Sequence, residues 1–239
     1  MAVRRSAPRS KRRLPEPVTG QAAATPSTMP RSSEVQVGDV RTFEGARLRV
    51  LVFDDVELLY DAWWEHLDGG RGGWGLANPA RAASYYRLPT RLARQTILVG
   101  KEPLTDEEQA LYRPDLPLRV LRGTGWVFTQ ERFASLKTFA RAASRQGIHA
   151  ARGLESLDAP RVVIRPRGPS GGTKRGVTLE AEDGRAFKGI ELLWKMHEVQ
   201  APHVRAPRTD GSGLYRLGHE RGSPSFYIHG DVDAAGYLA

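Results

Sequence analysis

The sequence predicts an α+β fold over residues 34–239, a mixed and mainly antiparallel sheet with a few helices packed on it, behind a disordered basic tail and linker over residues 1–33. Three observations predict it. Short apolar runs precede residue 54, amphipathic stretches fill the middle, and alternation returns after residue 160. Strands and helices are therefore segregated, where a parallel α/β sheet would interleave them.

The tail comes first. Arg4, Arg5, Arg9, Lys11, Arg12 and Arg13 stand among Ser and Pro, and an Ala/Thr/Pro/Ser linker follows to Ser33. Such a segment buries too little apolar area to offset its ordering entropy. It reads as a basic arm for nucleic acid or as a plain solvated tail, and no apolar run behind the charges suggests a secretory signal.

From Glu34 onward, Val35, Val37, Val40 and Phe43 make one strand and Leu48, Val50 and Val52 the next, with Phe53 one step out of phase. Glu44-Gly45 between them predicts a hairpin turn. Residues 56–66 fit a helix or a third strand ending in Trp63-Trp64, and the following DGGRGGWG reads as a turn. Adjacent tryptophans invite a base-stacking role; packing against the core is the simpler reading. Pro89 to Ile97 is expected to be a short helix. Thr105-Asp106-Glu107-Glu108 has capping-box spacing and predicts a helix from Asp106 to Tyr112. Leu118 to Arg122 reads as a strand and Gly123-Thr124-Gly125 as a turn.

A central helix is predicted over Gln130–Gln146, with Thr129 as N-cap and Gly147 as terminator. On its helical wheel Phe133, Leu136, Phe139, Ala140 and Ala143 share one side, and Lys137, Arg141 and Arg145 stack on the other. Arg161 to Arg165 predicts a compact buried strand, and the loop RPRGPSGGTKRG follows it. Val177 to Ala181, Asp183-Gly184 and Ala186 to Trp194 are expected to form a β-hairpin, whose last part, Ile190 to His197, is expected to pass into a short helix. Gln200 to Arg221 reads as a long connection, Ser225 to Ile228 as a last strand and Asp233 to Leu238 as a terminal helical turn.

Charge points to the partner. Residues 113–176 hold thirteen Lys or Arg against four Asp or Glu, a net of +9, which equals the formal charge of the whole chain. A basic balance favours nucleic acid or an anionic membrane. No apolar run approaches the roughly 20 residues that cross a bilayer, so no membrane partner is expected. Cysteine is absent, which removes disulfides and thiolate chemistry and fits a cytoplasmic location. For three charges alone, a solvated helical face would suffice. Its continuation into Arg152, Arg161, Arg165, Arg167, Lys174 and Arg175 favours a polyanion surface.

No catalytic or cofactor motif is specific, and no cofactor is expected. The loop half matches a P-loop, but Thr173 stands at its second glycine and Arg175 at its Mg²⁺-binding hydroxyl. Gly168-Pro169-Ser170-Gly171-Gly172 spells GxSxG without a helix to follow, and Gly70, Gly72 and Gly75 spell GxGxxG without a strand to precede it. His229, Asp231 and Asp233 group an imidazole with two carboxylates, and Asp54 and Asp55 could complete a metal-dependent phosphodiesterase site. A polar turn explains the same residues.

The expected function is a DNA- or RNA-binding accessory protein, of the kind that mobile elements, plasmids and phages carry. Its contacts are Lys137, Arg141, Arg145, Arg165, Arg167, Lys174 and Arg175. A metal-dependent nuclease using His229, Asp231, Asp233, Asp54 and Asp55 is the first alternative, so enzymatic activity stays open. An assembly protein docking an acidic partner is the second.

Overall fold

A computed structural model describes residues 34–54, 57–64, 72–75, 83–84, 86–149, 154–170, 172–205 and 212–230. The tail, Asp55, Arg152, Asp231, Asp233, the first half of the glycine-rich turn and the terminal helical turn lie outside these residues. Within them the architecture is α+β: two mainly antiparallel sheets and four α-helices.

The first sheet contains β1 (Asp39–Phe43), β2 (Ala46–Phe53), β3 (Glu57–Trp64) and β4 (Gly73–Gly75). The short β5 (Ala83–Ser84) joins the second sheet, while β6 (Tyr86–Pro89) returns to β3. After α1 (Thr90–Ala93), β7 (Ile97–Lys101) closes the first sheet beside β1. Glu44 and Gly45 adopt φ of 48° and 82°, so the first hairpin turns where the sequence places it. The out-of-phase Phe53 has a cause. Register shifts between Val50 and Val52, a bulge that sends Leu51 and Val52 to one side of the sheet and returns Phe53 to the side of Leu48 and Val50. Residues 57–64 form a strand rather than a helix, and the Trp63 and Trp64 side chains lie outside the described residues. The helix expected over Pro89–Ile97 is one turn, because Ile97 already pairs with Thr42.

Next come α2 (Asp106–Tyr112), β8 (Arg119–Val120), α3 (Leu136–Arg145) and β9 (Arg161–Arg165). The capping box holds as predicted, with the Glu108 N–H donating to Thr105 Oγ1 at 3.2 Å and the Thr105 N–H to Glu108 Oε2 at 3.0 Å. The central helix begins six residues later than expected, with Ser135 as its cap, and Gly147 (φ 82°) terminates it. Residues 130–135 stay out of the helix because side chains of a later helix take up their backbone groups, as described below.

The second sheet is completed by β10 (Val177–Glu180), β11 (Ser212–Glu220) and β12 (Ser223–Gly230), in the order β10-β9-β12-β11-β5 with β8 also on β11. Two expectations fail here. β10 pairs with β9 instead of with the segment after Asp183-Gly184. That segment bridges Phe187 to Leu157 and then forms α4 (Gly189–Gln200), which contains and extends the short helix expected over Ile190 to His197. Leu192, Leu193, Met196 and Val199 are buried at helical spacing, which outweighs the turn signal before them. Gly189 is needed at the helix start, since a Cβ there would lie 2.5 Å from Leu154 Cβ. The second failure is β11, a nine-residue strand where a flap was expected; Arg221-Gly222, with φ of 53° and 71°, turns it into β12.

Trp126, Phe139, Phe187, Leu193, Met196 and Phe226 centre the main core, between α3, α4 and the second sheet. No helix among the described residues is long and apolar enough to cross a membrane.

Candidate nucleic-acid interface

Phe139, Ala142 and Ala143 turn one side of α3 into the core. The opposite side therefore exposes Lys137, Arg141 and Arg145, none of which pairs with a carboxylate among the described residues. At 1.5 Å rise per residue the three cations step along the axis by about 6 Å each. An open groove of about 730 Å³ runs beside them, lined also by Glu131, Phe133 and Ser144. Repulsion along such a face is unrelieved within the helix.

The loop after β9 is a closed excursion. Arg167 bridges to Thr173, Gly168 N–H donates to Gly172 O at 2.9 Å, and Lys174 N–H donates to Pro166 O at 2.8 Å. Lys174 and Arg175 are exposed on its return. It leads straight into β10, so neither a P-loop helix nor a nucleophile elbow follows it.

One turn of α4 anchors both features. Glu198 accepts from the Phe133 N–H at 3.0 Å and from Arg132 Nε at 2.5 Å. His197 Nδ1 accepts from the Trp126 indole N–H at 3.1 Å, which places the imidazole proton on Nε2, 2.7 Å from Glu131 O. Gln130 Nε2 reaches Val204 O at 2.6 Å. Three residues beyond His197, Gln200 takes the Arg167 N–H at 2.8 Å and donates to the Arg167 carbonyl at 2.9 Å. The lead-in to α3 and the stem of the loop are thus held at the same end of one helix.

Several other cations of the basic stretch lie beside carboxylates. Arg165 pairs with Glu220 at 3.0 Å, Arg113 grips Asp115 at 2.7 Å, and Arg161 meets Glu180 at 3.0 Å. Arg119 sits 3.9 Å from Asp54 and 4.0 Å from Glu57. Of the seven expected contacts, Lys137, Arg141, Arg145, Lys174 and Arg175 are exposed, Arg167 is half-buried and Arg165 is ion-paired.

The alternative site is represented by Asp54 and His229, because Asp55, Asp231 and Asp233 lie outside the described residues. Asp54 Oδ1 accepts from the Glu57 N–H at 2.7 Å and so shapes the turn into β3. His229 packs on Tyr215 and Tyr227 in the second sheet. No group of three metal-ligating side chains is present among the described residues.

Sequence reasoning missed the aromatic face of β11 and β12. Its signal was the Arg221-Gly222 turn, which sets Tyr215 opposite Tyr227. Comparison with family models, with curated proteins and with solved structures returns no match for this chain.

Proposed function

We propose that this protein binds nucleic acid, using the outer face of α3 and the glycine- and arginine-rich loop after β9 to neutralise phosphates. The observation that carries the reading is the stripe of Lys137, Arg141 and Arg145, exposed and without an ion pair among the described residues, while Arg165 and Arg113 are matched. Steps of about 6 Å suit successive phosphates along one strand. The loop adds Lys174 and Arg175, both exposed on its return.

Salt linkage tests it. The affinity for DNA should fall linearly in log–log terms with salt, and replacing Lys137, Arg141 and Arg145 together by Ala should flatten that slope by about 0.9 per lost contact. Binding that ignores salt, or a slope the triple variant leaves intact, rejects the reading. Polyglutamate displacing DNA at equal charge would move the partner to an acidic protein instead.

A further inference from the structure

The face of the second sheet turned away from its core carries a row separate from the α3 stripe and the loop return. Arg119 of β8 lies opposite Tyr215 of β11, Tyr215 opposite Tyr227 of β12, and Tyr227 opposite Arg165 of β9. Opposite residues share a face, so two rings stand between two cations across four strands. Leu214, Phe226 and Ile164, their chain neighbours, point into the core. His229 adds a third ring, 5.4 Å from Tyr215 and 5.7 Å from Tyr227.

The first sheet supplies cover at one edge. Arg87 of β6 lies over Tyr227 at 5.6 Å, as Arg119 lies over Tyr215 at 5.8 Å. Glu57 holds Arg87 at 2.7 Å. Even so, Arg87 Nη2 and Arg119 Nε are buried and meet no acceptor among the described residues. Interior packing ordinarily satisfies such donors. Tyr215, Tyr227 and His229 are half-buried.

A ligand offering both a flat π-face and acceptor oxygens matches this chemistry, and a nucleotide with its base unpaired is such a ligand. The row is also continuous with the proposed phosphate site. β9 and β12 run parallel with Arg165 beside Tyr227. Two residues further on, at the same end of the sheet, come Arg167 at the loop stem and His229.

We infer that this row is a stacking platform for an unpaired stretch of nucleic acid, with bases on Tyr215, Tyr227 and His229 and phosphates on Arg87, Arg119 and the loop cations. It rests on the nucleic-acid reading above and narrows its partner to a single strand, because a duplex hides its base faces.

Fluorescence anisotropy with a labelled oligothymidylate of about a dozen nucleotides, and with a duplex of equal length, tests it. Tyr215→Leu and Tyr227→Leu keep apolar bulk and remove the π-face. Each should weaken single-strand binding about tenfold and leave duplex binding unchanged, while Tyr227→Phe keeps wild-type affinity. Leu variants that bind the single strand like wild type, or lose both ligands equally, overturn the platform and leave the ionic reading standing. A wild type that binds neither probe removes both. Should a Leu variant fail to fold, photo-crosslinking of a 5-iodouridine oligonucleotide to the wild type decides. Adducts on Tyr215, Tyr227 or His229 support the platform, and adducts confined to α3 and the loop overturn it.

Discussion

The imidazole of His197 is fully buried, with Trp126, Phe128, Phe133 and Phe139 around it at ring separations of 5.1–6.0 Å. Its Nδ1 accepts from an indole that can only donate, so a second ring proton would face another N–H. Burial accordingly holds its pKa below the ordinary value of 6.5, against the opposing pull of Glu131 and Glu198 and with help from Arg132. A depressed histidine favours the folded state above the unfolded pKa, and that contribution is lost as pH falls below about 6.5. Asp61, which burial pushes up to about 6, titrates in the same window with the opposite sign. The informative comparison is therefore wild type against His197→Gln. Their difference in unfolding free energy should shrink by up to about 1.4 kcal/mol per pH unit below pH 6.5. A constant difference, read from denaturant midpoints, contradicts this account. Nothing around His197 in the sequence announces this role, since its partners lie 66 and 71 residues away.

Among elements, α3 and α4 divide the labour. α3 presents charge; α4 decides where that charge sits. The amphipathic period of α3 was legible because Phe139 and Ala143 alternate with Lys137, Arg141 and Arg145 at helical spacing. Its start was not, because Ser135 and Thr129 are both acceptable caps and only Glu198, from another helix, decides between them. Gln200 makes a specific prediction. Gln200→Ala leaves the N–H and carbonyl of Arg167 without partners, so amide exchange at Arg167–Lys174 should quicken about tenfold or more, by analogy with the loss of a buried hydrogen bond. Exchange in the loop that matches wild type means the stem is held by its own closure.

At the scale of the molecule, α2 ties the two sheets together. Arg49 of β2, 2% exposed, donates to Asp61 at 2.8 Å and to Glu108 of α2 at 2.6 Å, beneath the Trp74 ring. Arg216 of β11, fully buried, donates to the carbonyl of Tyr112 at 2.6 Å, where α2 ends. Buried charge of this kind is costly once a partner is removed. Asp61→Ala should destabilise the fold by about 3–5 kcal/mol, seen as a lower denaturant midpoint; a loss within the error of the wild-type value would show that Glu108 alone satisfies Arg49. The same scale explains the charge. Ion pairs across strands and loops consume Arg113, Arg161 and Arg165, while the α3 stripe and the loop return stay exposed.

By itself the sequence determined what local chemistry decides: the Glu44-Gly45 turn, the Thr105 capping box, the β9 strand and the α+β class. The first three depend on residues within one turn or one strand of each other, and the class on the order of such segments along the chain. Only the tertiary structure decided that α4 replaces a hairpin arm, that the cations of residues 113–176 split into paired and exposed sets, and that Tyr215 meets Tyr227 between Arg119 and Arg165. Those outcomes depend on burial and partners contributed by distant segments, and a linear pattern carries no record of which carboxylate or ring will arrive.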